Sequence, residues 1–183
     1  MPAALLIRHT SVAVVRGVCY GQSDVPLAAT FAAEAADVRA RLPWVPTEVW
    51  SSPSARALRL AETLGAPAVR IDARLLELNF GDWENRAWES FHDAQSEAWA
   101  RDPWNARPPN GETAAGLHHR VGEVRAGLLA RLVGTGGAGR PSPRIAIVTH
   151  AGVIRSWRAH AQSRPLMELF SAAIPFGHVE AAG

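Results

Sequence analysis

Two histidines in this chain stand where an apolar run stops, and their neighbours suit phosphoryl chemistry. The first run reads Leu5-Leu6-Ile7-Arg8-His9-Thr10, the second Ile145-Ala146-Ile147-Val148-Thr149-His150-Ala151-Gly152. An imidazole can attack phosphorus, and a guanidinium can hold the same dianion with a fork of donors. Arg8 supplies such a fork beside His9. Arg56 supplies a second, because Ser51-Ser52-Pro53-Ser54-Ala55-Arg56-Ala57 leads from a strand end into a helix whose free N–H groups also favour an anion. Glu77 lies in Leu75-Leu76-Glu77-Leu78-Asn79-Phe80-Gly81-Asp82-Trp83-Glu84 and is the candidate acid. A departing alkoxide needs a proton, and apolar neighbours favour a carboxyl group that retains one. Taken singly, Glu77 reads equally well as a surface carboxylate or an arginine partner, and Arg56 as a solvated helix residue.

The elements that must position these groups follow from apolar patterning. Ala3 to Ile7 and Ile145 to Val148 are continuous apolar runs, as in strands buried on both faces. Shorter strands are expected at Glu48 to Trp50 and Ala68 to Ile71, with an edge strand within Ile174 to Val179. Helices are expected over Pro26 to Leu42, Ser54 to Leu64 (closed by Gly65), Glu112 to Val133, onward from about Gly152, and over Pro165 to Ala173. Residues 134–143 read as a Gly/Pro/Ser linker. Strands alternating with helices imply an α/β fold, a largely parallel sheet covered on both faces. In such sheets ligands sit at the carboxyl ends of the strands. If the two histidine-bearing strands are neighbours, both imidazoles enter one crevice.

Bulk properties narrow the function classes. At 183 residues and 48% hydrophobic composition the chain has the size of one domain. All 19 basic Lys+Arg positions are arginine, spread along the chain with a net charge of only +2, so no dedicated nucleic-acid surface is expected. No run approaches the roughly 18 apolar residues of a membrane span, and Pro2 to Ile7 is too short for a signal peptide. The single cysteine, Cys19, excludes an internal disulfide framework and reads as a small buried side chain. A cytoplasmic location is the expectation. His92, His118, His119, His160 and His178 stand in no comparable context.

Four blocks in this order, Arg8-His9-Thr10, Ser52-Pro53 with Arg56, Glu77 before Phe80-Gly81-Asp82-Trp83-Glu84, and Thr149-His150-Ala151-Gly152, resemble the histidine phosphatase superfamily, also called phosphoglycerate mutase-like. The resemblance covers about the first 160 residues and implies a three-layer α/β/α sandwich with residues 79–111 as a partial lid. It implies His9 as nucleophile, with Arg8, Arg56 and His150 holding the phosphoryl oxygens. Glu77 would be the acid that later activates water. It also implies no metal or other cofactor, a small phosphorylated metabolite as partner, and a homodimer. The chain departs from the common pattern after Arg8-His9. It reads Thr10-Ser11-Val12-Ala13-Val14-Val15, without the usual glutamate and phosphate-binding asparagine, and Thr10, Tyr20 or Gln22 are the candidate replacements.

Gly17-Val18-Cys19-Tyr20-Gly21-Gln22-Ser23-Asp24-Val25-Pro26-Leu27 resembles the corresponding loop of alpha-ribazole phosphatases. Tyr20, Gly21, Gln22 and Ala151 therefore join Arg8, Thr10, Arg56, Glu77 and His150 as expected substrate contacts. Tyr20, Phe80, Trp83 and Trp88 are candidates for a flat apolar surface under a nucleotide base, or for core packing. A broad-specificity sugar-phosphate phosphatase is the rival within the superfamily. A mutase is another, drawing on Arg86, Arg101 and Arg107. A metal site on His9, His150 and Glu77 is disfavoured because Arg8 and Arg56 would repel the cation.

Overall fold

The computed structural model describes residues 3–134 and 143–183, so the expected linker falls almost wholly outside the described residues. Five strands form one sheet in the order β3-β2-β4-β1-β5: β1 (Ala4–Arg8), β2 (Glu48–Ser51), β3 (Val69–Ile71), β4 (Ile145–Thr149) and β5 (Val179–Ala181). All pairings are parallel except that of β5 with β1. β4 lies between β1 and β2, with Arg8 level with Thr149 and Ser51 level with Val148. The ends of three parallel strands therefore share one edge. There the His9 N–H donates to Thr149 O (3.0 Å) and the Ser52 N–H to Val148 O (3.0 Å).

Strand alternation sends successive side chains to opposite faces, and helices cover both. Ala4 and Leu6 of β1 and Ile145 and Ile147 of β4 pack against α4 (Ala114–Gly134) and α5 (Ala151–Gln162). Leu117, Val121, Val124 and Leu128 form the apolar stripe of α4. On the other face, Ile7, Val49, Ala146 and Val148 meet α1 (Phe31–Ala40) and α2 (Ala55–Glu62) through Ala35, Val38, Ala57 and Leu60. Gly65, at φ +85°, turns the chain out beyond α2.

Three expectations need correction. The helix expected from Pro26 begins only at Phe31, because Val12 and Leu27 form an antiparallel bridge, with Ala13 N donating to Pro26 O and Ala28 N to Ser11 O. Pro165 to Ala173 is helical only over α6 (Leu166–Leu169), after which the chain makes three-residue turns such as Ala172 N to Leu169 O. The edge strand occupies Val179–Ala181, not Ile174 to Val179: Pro175 carries no N–H for a ladder and Gly177 sits at φ +65°.

Residues 79–111 contain two 3-10 turns and α3 (Ala94–Arg101), capped by Asp93 and Ser96. Trp83 and Phe91 pack there on Cys19, with Phe80 and Trp99 at their margin. The two ends of the segment are stitched together by Asp82 N to Pro109 O and Glu112 N to Asn79 O, both 2.9 Å. A Cβ on Gly81 would lie 2.0 Å from Pro109 O, so only glycine fits the joint.

Candidate active site

His9 leaves the end of β1 only 2% exposed, and its Nδ1 lies 2.7 Å from Thr10 O. A carbonyl can only accept, so Nδ1 carries the proton and the lone pair stands on Nε2. Burial first, then the Arg56 charge, push the imidazole pKa down to about 3; the Thr10 bond opposes them, and the Arg8 charge adds a smaller downward push. His9 is therefore neutral at physiological pH.

His150, at the end of β4 and the start of α5, is fully buried, with its ring centroid 5.1 Å from that of His9. Burial, then His9, Arg56 and Arg8, hold it well below its ordinary pKa. Its Nε2 pairs with Ser52 Oγ at 2.8 Å, while its Nδ1 is buried without a partner. Ser52, which leaves the end of β2, is thus part of the site, although its motif suggested only a helix start.

Arg56 is 1% exposed in the first turn of α2 and donates to the carbonyls of Ser23 (2.9 Å) and Gly21. Arg8 donates to Ile174 O, and its guanidinium carbon lies 3.9 Å from the Phe176 ring centre. The Nε atoms of both arginines and Thr10 Oγ1 are buried without partners among the described residues. Burial lowers both arginine pKa values against the pull of Glu77, but a guanidinium stays charged. The Glu77 carboxylate accepts the Gly152 N–H at the start of α5 and its neighbour Leu78 N–H, each at 3.0 Å. A Cβ on Gly152 would come within 2.1 Å of Glu77 Oε1, which explains the glycine after His150-Ala151.

The structure thus gathers Arg8, His9, Arg56, Glu77 and His150 at one sheet edge. Thr10 joins them with its unpartnered hydroxyl. Tyr20 lies with its ring centre 5.4 Å from the Arg56 guanidinium carbon and within electrostatic reach of Arg8. Gly21 contributes its carbonyl, and a Cβ there would strike Leu78 O at 2.0 Å. Gln22 is committed elsewhere, its amide donating to Glu77 O at 3.0 Å. Ala151 is the first residue of α5, with its side chain in the core. Trp83 is 2% exposed and packs with Phe91 instead of offering a flat surface, whereas Trp88 is 38% exposed. Arg86 stacks on Phe91, and Arg101 and Arg107 are exposed. Among the described residues, no three His, Cys, Asp or Glu are grouped to hold a metal ion.

Two further contributors were not expected, although Glu84 closes one of the matching blocks. Phe176 also lies 5.4 Å from the His9 ring, and no spacing announces it. Glu84 accepts the N–H groups of Gln22 and Phe80 (2.8 and 3.1 Å) and bonds Ser23, fastening the Tyr20 loop. Burial opposes its ionisation, but those bonds prevail and hold its pKa below the usual carboxylate range. Cys19 is wholly buried, and burial pushes its thiol up to about 12.

Comparison with known proteins matches this geometry. The model of the histidine phosphatase superfamily (branch 1) aligns with residues 4–180. Glucosyl-3-phosphoglycerate phosphatase of Mycobacterium tuberculosis is 32% identical over 114 residues, which is 60% of this chain. That match spans about half (50%) of the relative's length. Among solved structures, the alpha-ribazole phosphatase of Shigella flexneri superposes with a TM-score of 0.82 at 27% identity, covering 96% of this chain and 87% of that one. The mycobacterial glucosyl-3-phosphoglycerate phosphatase gives 0.79 at 25% identity, with coverage of 96% and 87%. Because the family match runs from β1 into β5 and takes in both histidine-bearing strand ends and Glu77, the chain belongs to the histidine phosphatase superfamily, branch 1.

Proposed function

We propose that the chain is a phosphomonoesterase that passes its phosphoryl group through His9. The observation that carries this reading is the state of His9: Nδ1 spends its proton on Thr10 O, and Nε2 keeps its lone pair among Arg8, Arg56 and His150. Nε2 attacks phosphorus and the ester P–O bond breaks, while the Glu77 carboxyl group gives its proton to the departing oxygen. The resulting carboxylate then takes a proton from water. That water attacks phosphorus, the P–N bond breaks, and neutral His9 returns. Arg8 and Arg56 offset the charge on the phosphoryl oxygens. In this reading the Ser52 hydroxyl gives its proton to His150 Nε2, and Nδ1–H faces the phosphoryl group as a donor. Thr10 Oγ1 takes the place of the missing asparagine, since the Gln22 amide is spent on Glu77 O.

For the leaving group, alpha-ribazole 5′-phosphate is the first reading. The Tyr20 loop and the likeness to the Shigella enzyme support it, and Tyr20 and Phe176 flank Arg8 as candidate surfaces for a planar base. A phosphoglycerate ester is the second. It is favoured by the 32% identity to glucosyl-3-phosphoglycerate phosphatase and by half-buried Arg155, which interacts electrostatically with Glu77 and Arg8. Phosphate release in excess chelator decides between them, comparing alpha-ribazole 5′-phosphate, glucosyl-3-phosphoglycerate, 3-phosphoglycerate, sugar phosphates and an aryl phosphate. A kcat/KM preference of about a hundredfold, some 2.7 kcal/mol, for one ester assigns the substrate. Activity abolished by chelation would contradict the mechanism.

A further inference from the structure

Outside the phosphate pocket lies a half-buried ion pair that the proposed reaction does not use, Glu112 with Arg120 of α4. Their side chains are 20% and 16% exposed. Arg120 Nε donates to Glu112 Oε1 at 2.7 Å and Nη2 to Oε2 at 2.8 Å, a two-pronged pairing. The remaining N–H groups go to backbone. Nη1 donates to Arg74 O (2.7 Å) and Leu76 O (2.6 Å), and Nη2 to Glu77 O (3.0 Å). All five guanidinium N–H groups are thus spent, three of them on the stretch that ends at Glu77.

That stretch belongs to no strand. Its own bonds are the short turns Leu75 N to Asp72 O and Leu76 N to Ala73 O, and besides Arg120 it is held by Thr149 Oγ1 on Leu75 O (2.7 Å) and by the Gln22 amide on Glu77 O (3.0 Å). Glu112 meanwhile grips the far side of Glu77, with its N–H on Asn79 O at 2.9 Å and its carboxylate facing Asn79 N at 3.4 Å. One ion pair therefore clamps the chain immediately before and after Glu77.

We propose that Arg120, aimed by Glu112, is a positioning residue that sets the place of the Glu77 carboxyl group for proton transfer to the leaving oxygen. This rests on the phosphatase reading above. A lysine offers its donors from a single point and cannot span Glu112 and three carbonyls, so Arg120→Lys keeps the charge and loses the clamp.

The test compares kcat/KM for an alkyl phosphate, whose departing alcohol needs a proton, with that for p-nitrophenyl phosphate, whose leaving group does not. Arg120→Lys and Glu112→Gln are both measured, with Glu77→Gln as reference and inorganic vanadate as a probe of the phosphate pocket. The expected result is a loss of about a hundredfold on the alkyl ester, as for an acid displaced by about an ångström. The aryl ester should change less than about fivefold on the same reasoning, and vanadate inhibition less than about threefold. If Arg120→Lys does not fold, Glu112→Gln carries the same readout. Equal losses on both esters, weakened vanadate inhibition, or no loss on either would each overturn the proposal. A Glu77→Gln enzyme that does not separate the two esters would instead overturn the acid role of Glu77 itself.

Discussion

At the scale of single residues, the site is a neutral imidazole placed among fixed positive charges. The Glu77 carboxyl group beside it is aimed by two backbone N–H groups. Gly152 sets that aim, because a methyl group at its Cα would stand 2.1 Å from Glu77 Oε1. Gly152→Ala is expected to lower kcat/KM on an alkyl phosphate by about a hundredfold while leaving the fold intact, which steady-state kinetics and a melting curve check together. Thr10→Val removes a hydroxyl that has no partner in the fold. It is expected to weaken vanadate inhibition about tenfold, within the range for a hydrogen bond to a charged group, and unchanged inhibition would remove Thr10 from the phosphate contacts. Arg8, His9, Arg56, Glu77 and His150 were legible because each sits in a block with chemical meaning. Ser52 stood in a matching block, but no role was expected of it beyond the start of a helix. Its bond to His150 joins residues 98 apart, which no local pattern displays.

At the scale of elements, β1 and β4 were legible because strands covered on both faces leave a continuous apolar run. The tail from Ala172 to His178 was not. It was read as helix end and edge strand, yet it is a strap that local turns shape and tertiary bonds fasten. Ala172 O accepts Arg155 Nε, Ile174 O accepts Arg8, and Gly177 N donates to His9 O. Phe176 in this strap is 39% exposed, and it covers the Arg8 guanidinium. Phe176→Ala is expected to raise KM and weaken vanadate inhibition by about tenfold, in keeping with a cation–π contact shielded from water. A kcat loss with KM unchanged would instead place the ring in the chemical step. The start of α1 was misplaced for a related reason, since the Val12–Leu27 bridge draws residues 26–28 away from a helical pattern that their sequence permits.

At the scale of the whole molecule, the parallel strands place two buried neutral histidines beside two buried arginines, and this burial, with the positive charges beside it, costs stability in acid. The folded pKa of His9, about 3, lies below the 6.5 of an unfolded histidine, so the unfolded chain takes up protons first as pH falls. Stability is then full above about pH 6.5 and declines towards pH 3, with His9 alone accounting for roughly 2 kcal/mol at pH 5. His150 acts with the same sign. A lower Tm at pH 5 than at pH 7.5 is expected, with a smaller drop in His150→Gln, and equal Tm values would contradict a buried neutral pair. The fold itself was legible from alternating strands and helices, while β5 and the contents of residues 79–111 awaited three-dimensional contacts. The phosphohistidine at the centre of the proposed reaction is tested most directly by rapid quenching with a 32P-labelled ester in excess chelator. The expected result is an alkali-stable, acid-labile label on the wild-type chain that maps to His9 and is absent from His9→Ala. No label during turnover, or turnover undiminished in His9→Ala, would contradict it.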